Sequence, residues 1–268
     1  MKPKTLGLLA ALVAVPTLAA AVPGRLAGAV SRRPAGAATP TTAHSRSSQR
    51  PAAKGGTASL VNVTVTTASD GSSPSRDALR EPGRRRLRGA GCTNPGAGTT
   101  AYSLTGTRAS STTSHFNPAG APVSGAASVL QAAFGAWAGA GAPSISVASD
   151  GTATAPTADH TYETMFADLG PRTLAVTYTW RWSTGEYEND TAFNRNVSWF
   201  VAPGEGDGCY EGVTAYDLQD VATHEFGHVY GLGHVTSPFN TMSPTATAGE
   251  TYKRSLAPGD ALGIQAIY

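Results

Sequence analysis

The 268-residue sequence lacks several features, and each absence excludes a class of protein. It contains only two cysteines, which allow at most one intramolecular disulfide. The apolar run from Leu6 to Ala20 is interrupted by Pro16 and is shorter than the ~20 residues that a membrane-spanning helix needs. No glycine-rich phosphate loop follows a strand-like segment, so the 31 glycines indicate loops and not a nucleotide site.

The formal net charge of +2 conceals two halves of opposite charge. Residues 1–88 contain 14 Lys and Arg against 3 Asp and Glu, a charge of +11, whereas residues 89–268 contain 6 against 15, a charge of −9. We place a domain boundary there, with residues 22–88 as a basic low-complexity linker or pro-segment and residues 89–268 as a separate acidic domain. A basic segment would be attracted to an acidic domain, as an inhibitory pro-segment requires, and a disordered tail is the alternative. The acidic domain argues against nucleic acid as a partner.

The N-terminus has the pattern of a secretion signal. Lys2 and Lys4 supply the positive charge, the apolar run follows, and Ala19-Ala20-Ala21 offers a small-residue cleavage site. We therefore predict a signal peptide over residues 1–21 and a secreted, extracellular, monomeric protein without a stable membrane anchor. A retained anchor is the alternative.

Two features stand out in the basic segment. Leu60–Val65 is strand-like, with alternating apolar and polar residues. Arg84–Arg88 is a site for a protease that cuts after basic residues, so the mature chain is expected to begin near it.

The most informative segment is His224-Glu225-Phe226-Gly227-His228-Val229-Tyr230-Gly231-Leu232-Gly233-His234, which has the pattern H-E-x-x-H-x-x-G-x-x-H. On a helix, His224 and His228 project from one face and can bind one Zn²⁺ at about 2.0 to 2.1 Å. Gly231 can adopt the positive φ that ends a helix, so the chain can turn back and deliver His234 as a third ligand. Three protein ligands leave one position for water, which is typical of a catalytic zinc.

The helix that carries this pattern is also predicted. Asp217 is the expected N-cap and Asp220 places a second carboxylate in the first turn. An apolar stripe is expected on the side away from the histidines, formed by Leu218, Ala222, Phe226 and Val229.

These residues resemble the site of metzincin metallopeptidases, and the chain is most similar to the matrixin-type catalytic domain. Asn240–Pro244 follows the third histidine at a distance suited to the clan's Met-turn, so Met242 is expected to form a hydrophobic floor under the metal. Further segments resemble the first helix, two cleft strands and the C-terminal helix of that domain: Ser124–Trp137, Thr173–Tyr178, Thr191–Asn194 and Leu256–Tyr268. The resemblance implies an α+β fold, a twisted mixed sheet with a long first helix, an active-site helix and a C-terminal helix.

The sequence departs from the matrixin pattern at several positions. Ala246 stands where matrixins have a tyrosine lining a specificity pocket, so substrate preference does not carry over. Gly259 replaces the first of two acidic residues, leaving Asp260. No loop rich in His and Asp precedes the active-site helix, so structural Ca²⁺ and a second zinc are left open.

Two interpretations of the cysteines are considered. In an exported chain, a disulfide between Cys92 and Cys209 is the first expectation. Alternatively, Cys92 is a latch that binds the zinc of a zymogen, as in matrixin pro-segments. Its surroundings, Gly91-Cys92-Thr93, lack the family's Arg-Cys-Gly pattern, and the latch would leave Cys209 unpaired, so the disulfide is favoured.

We predict a zinc metalloendopeptidase that hydrolyses peptide bonds of extracellular proteins through a zinc-activated water. The zinc ligands are His224, His228 and His234, and Glu225 takes the water proton and passes it to the leaving amine. A zinc-retaining, non-proteolytic binding module is the alternative, although binding alone does not need Glu225. A hydrolase of small peptides is a third hypothesis.

Overall fold

A computed structural model describes residues 55–69, 92 and 95–268 of the chain. The predicted signal peptide, residues 1–21, lies outside the described residues, as does most of the predicted basic segment, residues 22–88. None of the helices within the described ranges is long and apolar enough to cross a membrane.

The described part of the chain alternates short strands with three α-helices. In chain order the elements are β1 (Ala58–Ala68), β2 (Ser103–Leu104), β3 (Thr112–Phe116), α1 (Ala126–Gly139), β4 (Ile145–Ala148), β5 (Tyr162–Ala167), β6 (Thr173–Trp182), β7 (Tyr187–Asn194), β8 (Trp199–Phe200), β9 (Tyr216–Asp217), α2 (Leu218–Val229), β10 (Leu232–Gly233), β11 (Thr245–Ala246), a 3-10 turn (Tyr252–Arg254) and α3 (Pro258–Ile267).

Seven strands form one twisted mixed sheet in the order β11-β1-β6-β7-β5-β3-β4. β6 runs antiparallel to both of its neighbours, β1 and β7, whereas the other four pairs are parallel. The remaining described strands form two short ribbons, β10-β2 and β8-β9. The predicted fold, a mixed sheet with a first helix, an active-site helix and a C-terminal helix, is confirmed.

Local backbone chemistry explains where the helices begin. α1 begins at Ala126, two residues after the predicted start, because Gly125 has φ +78° and cannot be part of a right-handed helix. α3 begins at Pro258, whose ring fixes φ near the helical value and whose missing N–H is not needed in a first turn. α2 begins after Asp217, the predicted N-cap, whose carboxylate accepts the N–H of Asp220 at 3.0 Å.

The core between α1 and α2 fixes the position of the active-site helix. The rings of Phe134 and Phe226 are stacked with centroids 3.6 Å apart. The buried indole of Trp137 donates to the carbonyl of Thr223 at 2.8 Å, one residue before His224. Burial of each of these aromatic side chains contributes on the order of 1.5–3 kcal/mol.

The strand predicted at Leu60–Val65 is present but longer, and it lies inside the sheet. β1 pairs antiparallel with β6 over most of its length and parallel with β11 at its C-terminal end. Residues 58–68 belong to the basic segment by composition. In the structure they form a strand of the same sheet as β6 and β11.

Cys92 and Cys209 form a disulfide, with their Cα atoms 5.7 Å apart. The backbone of Cys209 also forms an isolated antiparallel β-bridge with Glu250. Gly249 lets this segment lie close to the disulfide, because a Cβ at Gly249 would lie 3.0 Å from Cys92 Sγ. Closing a loop of this length stabilises the fold by about 4–5 kcal/mol in the chain-entropy account. Since both sulfur atoms are bonded, Cys92 is not available as a metal latch in this structure.

Candidate metal centre and catalytic cleft

The three histidines of the sequence pattern meet at the end of α2. Their Nε2 atoms lie 3.1 to 3.2 Å apart in all three pairs. Three nitrogens at tetrahedral positions around Zn²⁺, each about 2.0 to 2.1 Å from the ion, are separated by about 3.3 Å. The donor set formed by His224, His228 and His234 therefore fits a zinc ion in geometry and in chemistry.

The backbone selects the tautomer of the two helical histidines. His224 Nδ1 lies 2.6 Å from the carbonyl of Thr241, and His228 Nδ1 lies 2.8 Å from the carbonyl of Leu232. A carbonyl oxygen only accepts, so each Nδ1 carries the proton and each Nε2 keeps its lone pair toward the centre.

The electrostatic surroundings keep the triad neutral, as metal ligands must be. Burial and the neighbouring imidazoles hold the pKa of His224 well below its ordinary value. Burial, followed by the charge of His234, lowers the pKa of His228 to about 3. The pKa of His234 is also lowered, mainly by burial and secondly by Lys253.

Met242 lies directly against the ligand-bearing helix. Its side chain is buried and fills the space beside Gly227, where a Cβ would clash with its sulfur and with Trp137. The N–H of Val235, next to the third histidine, donates to the carbonyl of Met242 at 3.0 Å. The predicted Met-turn position is therefore packed against the turn between His224 and His228, and it is bonded to the chain next to His234.

Asp260 holds the Met-turn from the start of α3. Its carboxylate accepts the N–H groups of Thr241 at 2.8 Å and Ala257 at 2.9 Å. The neighbouring Gly259, noted as a departure from the family, has no room for a side chain because a Cβ would clash with the carbonyl of Ala101. Its N–H donates to the carbonyl of Thr99 at 2.8 Å.

Glu225 is fully buried beside the triad, and two hydroxyl groups hold its carboxylate. Thr177 of β6 donates to Oε2 at 2.6 Å, and Thr66 of β1 donates to Oε1, also at 2.6 Å. Burial raises the pKa of Glu225 to about 7, and the two threonine hydrogen bonds partly offset that rise. A carboxylate in this position can exchange a proton near neutral pH.

A buried lysine is hydrogen-bonded to the segment that follows the Met-turn. Lys253 Nζ donates to the carbonyls of Ser243 at 3.0 Å and Thr245 at 2.6 Å, and its backbone N–H donates to Asp220 at 2.8 Å. Burial raises the pKa of Asp220 above its ordinary value, while the charge of Lys253 opposes the rise. Lys253 thus connects the first turn of α2 to residues 243–245, which follow the Met-turn.

Within residues 55–69, 92 and 95–268, the triad is the one group of three possible metal ligands that lie close together. Two buried carboxylates elsewhere accept backbone N–H groups from the loop before β5 and from β5 itself. Glu188 accepts from Asp159 and His160 of the loop, and Asp190 accepts from Thr157 of the loop and Glu163 of β5. These contacts order the loop before β5 through hydrogen bonds of the protein itself.

The structure places each residue of the predicted site. The three histidines lie together, Glu225 follows His224 on α2, and Met242 packs against Gly227 of the same helix, whereas the Cys92–Cys209 disulfide lies outside the triad. The hydroxyls of Thr66 and Thr177 and the ammonium of Lys253 were not predicted from the sequence. Thr177 lies in a strand predicted to border the cleft, but it alternates there with Val176 and Tyr178, so the pattern does not indicate that its hydroxyl is buried. No sequence signal pointed to Thr66 or Lys253.

Comparisons with known proteins agree with this geometry. A family model described as Matrixin matches residues 124–268. The chain is 40% identical to stromelysin-3 of Mus musculus over 81 residues, which is 30% of this chain and 14% of that protein. It is 41% identical over 69 residues to metalloendoproteinase 2-MMP of Arabidopsis thaliana, and 49% identical over 53 residues to neutrophil collagenase of Homo sapiens. These matches cover 26% and 20% of this chain, and 18% and 11% of the relatives. The aligned part is thus less than a fifth of each relative's length.

Proposed function

Since the chain belongs to the matrixin family, whose model matches more than half of it, we propose that it is a secreted zinc-dependent endopeptidase acting on extracellular proteins. The observation that carries this proposal is the set of three neutral imidazoles, with Nε2 atoms 3.1 to 3.2 Å apart, beside a buried carboxylate. The name of one relative, metalloendoproteinase 2-MMP of Arabidopsis thaliana, is consistent with endopeptidase activity.

Each residue of the site has a defined role in this proposal. His224, His228 and His234 would hold the zinc through their Nε2 atoms, and Met242 packs against Gly227 of the helix that carries two of them. When bound, Zn²⁺ polarises a carbonyl and lowers the pKa of a coordinated water to about 7. Glu225 takes the proton of the attacking water and passes it to the leaving amine, and the hydroxyl of Thr177 orients its carboxylate.

The extracellular form of the protein is expected to contain one Zn²⁺ per chain and to cleave members of an unbiased peptide library. Because three imidazoles hold the ion, a chelator should abolish cleavage and added zinc should restore it. Elemental analysis and mass spectrometry of the library measure both quantities. A zinc-free protein, or cleavage that a chelator does not affect, contradicts the proposal. A zinc-loaded protein that cleaves nothing but binds a protein partner supports the alternative, a binding module.

Secretion and processing are part of the same proposal. We expect removal of residues 1–21 on export and a cut near Arg84–Arg88, so the active extracellular species should begin close to residue 89. Its intact mass tests both cuts, and a mass two hydrogens below that of the reduced chain reports the Cys92–Cys209 bond. A fully active species that begins at Val22 contradicts the processing step.

A further inference from the structure

A row of buried hydroxyl groups crosses the face of the sheet that contacts α2. Thr177 of β6 lies opposite Thr191 of β7, and Thr191 lies opposite Thr164 of β5. All three side chains are at most 2% exposed. Buried strand positions are usually apolar, because apolar burial is the main stabilising contribution. Hydroxyl groups at three neighbouring register positions therefore need another physical reason.

This row reaches the carboxylate of Glu225. Thr177 Oγ1 donates to Glu225 Oε2 at 2.6 Å, and it lies 3.3 Å from the carbonyl oxygen of the same residue. Thr177 Oγ1 also lies 3.2 Å from the hydroxyl oxygen of Thr191. Thr177 is therefore the link between Glu225 and Thr191.

The number of protons on a hydroxyl group sets the direction of these bonds. Each threonine hydroxyl has one proton and two lone pairs. The proton of Thr177 is used by the carboxylate, which only accepts and forms the shorter bond. Thr191 must therefore donate to Thr177 Oγ1. Hydrogen bonds in such a series strengthen one another, because each donor is polarised by the next acceptor.

Holding one oxygen of Glu225 fixes the direction of the whole carboxylate. A carboxylate has about four lone-pair sites, so the bonds from Thr177 and Thr66 leave sites that can take a proton. Proton transfer requires the accepting group to be held closely in its productive geometry. The bond from Thr191 keeps the hydroxyl of Thr177 turned toward Glu225 and makes it a stronger donor.

We propose that Thr191 is a positioning residue of the proton-transfer step and acts on Glu225 through Thr177. We call Thr177 and Thr191 the threonine pair. This inference rests on the proposed function of the same site. Neither threonine is one of the three close imidazole ligands, so a change in the pair alters the orientation of the base and leaves the zinc ligands in place.

Thr191→Val tests the pair, because valine keeps the β-branched shape that suits a strand but has no hydroxyl. In the full zinc-loaded protein we expect kcat for the best library peptide to fall about three- to tenfold, with KM and zinc content unchanged. Thr177→Val should lower kcat about 10- to 100-fold, and adding Thr191→Val to it should have no further effect. Thr191→Ser keeps the hydroxyl and should have the kcat of the parent.

The matched control is Thr179→Val, in the same strand as Thr177. Thr179 is also buried, but its hydroxyl donates to Asn189 Oδ1 at 2.7 Å and not to Glu225. This variant should lose stability as Thr191→Val does and yet keep the kcat of the parent. An equal fall in kcat in Thr179→Val, an unchanged kcat in Thr191→Val, or additive losses in the double variant overturn the inference.

Thermal unfolding tests the threonine pair without hydrolysis. Among the hydrogen bonds of the described residues, Thr191 reaches Glu225 through Thr177. Thr191→Val should therefore lower the melting temperature of the zinc-loaded parent more than that of zinc-loaded Glu225→Ala, which has no carboxylate to hold. Equal losses in the two backgrounds overturn the inference. Unequal losses in a protein that binds zinc but cleaves no peptide overturn the proposed function and leave the threonine pair standing.

The folding of Thr177→Val is informative in itself, because this substitution leaves a buried carboxylate oxygen without its donor. If the variant does not fold, the same substitution in the Glu225→Ala background decides the matter. Restored folding supports the inference, since the unpaired carboxylate has been removed. Continued failure to fold overturns it, since the hydroxyl of Thr177 is then needed for packing and not for Glu225.

Discussion

Glu225→Ala is expected to slow peptide hydrolysis by about 10² to 10⁴-fold while the protein keeps one Zn²⁺ per chain. The carboxylate is fully buried next to the triad, but it is not among the three close Nε2 donors, so its loss removes the proton transfer and not the metal. The measurement is kcat/KM on the best peptide from the library, together with the zinc content of the same sample.

Glu225→Gln is the matched control, because glutamine has nearly the same volume as the buried glutamate. The amide keeps a carbonyl that can accept from Thr177 or Thr66, yet it cannot take a proton from water. We expect it to fold and bind zinc like the parent and to be as slow as Glu225→Ala. Hydrolysis at the parent's rate by either variant means that another group acts as the base.

His228→Ala is expected to lose zinc and, with it, all measurable activity. The imidazole supplies one of three ligand nitrogens, and the triad is the one close group of three possible ligands among the described residues, so the substitution leaves only two ligands. Zinc bound only to the folded state stabilises that state, by about 4 kcal/mol when free zinc exceeds Kd 1,000-fold. The variant should therefore melt at a lower temperature than the parent, and a chelator should no longer change its melting temperature.

His115→Ala is the matched histidine control, because its ring pairs with Asp150 and lies outside the triad. It should keep one zinc, parent-like activity and a chelator-sensitive melting curve. If His228→Ala retains stoichiometric zinc after dialysis against a weak chelator, the ligand assignment is wrong.

The start, the apolar face and the end of the active-site helix were all predicted from local sequence. Asp217 caps it as predicted, its apolar stripe is buried, and Gly231 ends it with φ +102°. These features depend on contacts within a few residues, so spacing alone predicts them. The start of α1 was predicted two residues too early, at Ser124. The spacing of apolar residues does not reveal that Gly125 adopts a left-handed conformation.

Departures from a family pattern were readable in the sequence, but their causes were not. Gly259 was seen as the loss of an acidic residue, and the structure shows that residues 99–101 pass too close for any side chain. A strand was predicted at Leu60–Val65 from its alternation and was assigned to the basic segment. Composition groups residues that are close in the sequence, and it does not show which of them are close in the folded structure.

Residues at short, regular spacings were enough to predict the proposed zinc ligands, the candidate base and the capped helix, and the resemblance to matrixins predicted the fold class. What surrounds these residues follows from the tertiary fold. Thr66 reaches Glu225 across 159 positions, and Lys253 reaches Asp220 across 33. Such contacts arise from strand order and from how α2 packs on the sheet, and no local period encodes them. Hydrogen bonds between distant segments therefore hold the carboxylates of Glu225 and Asp220 in place.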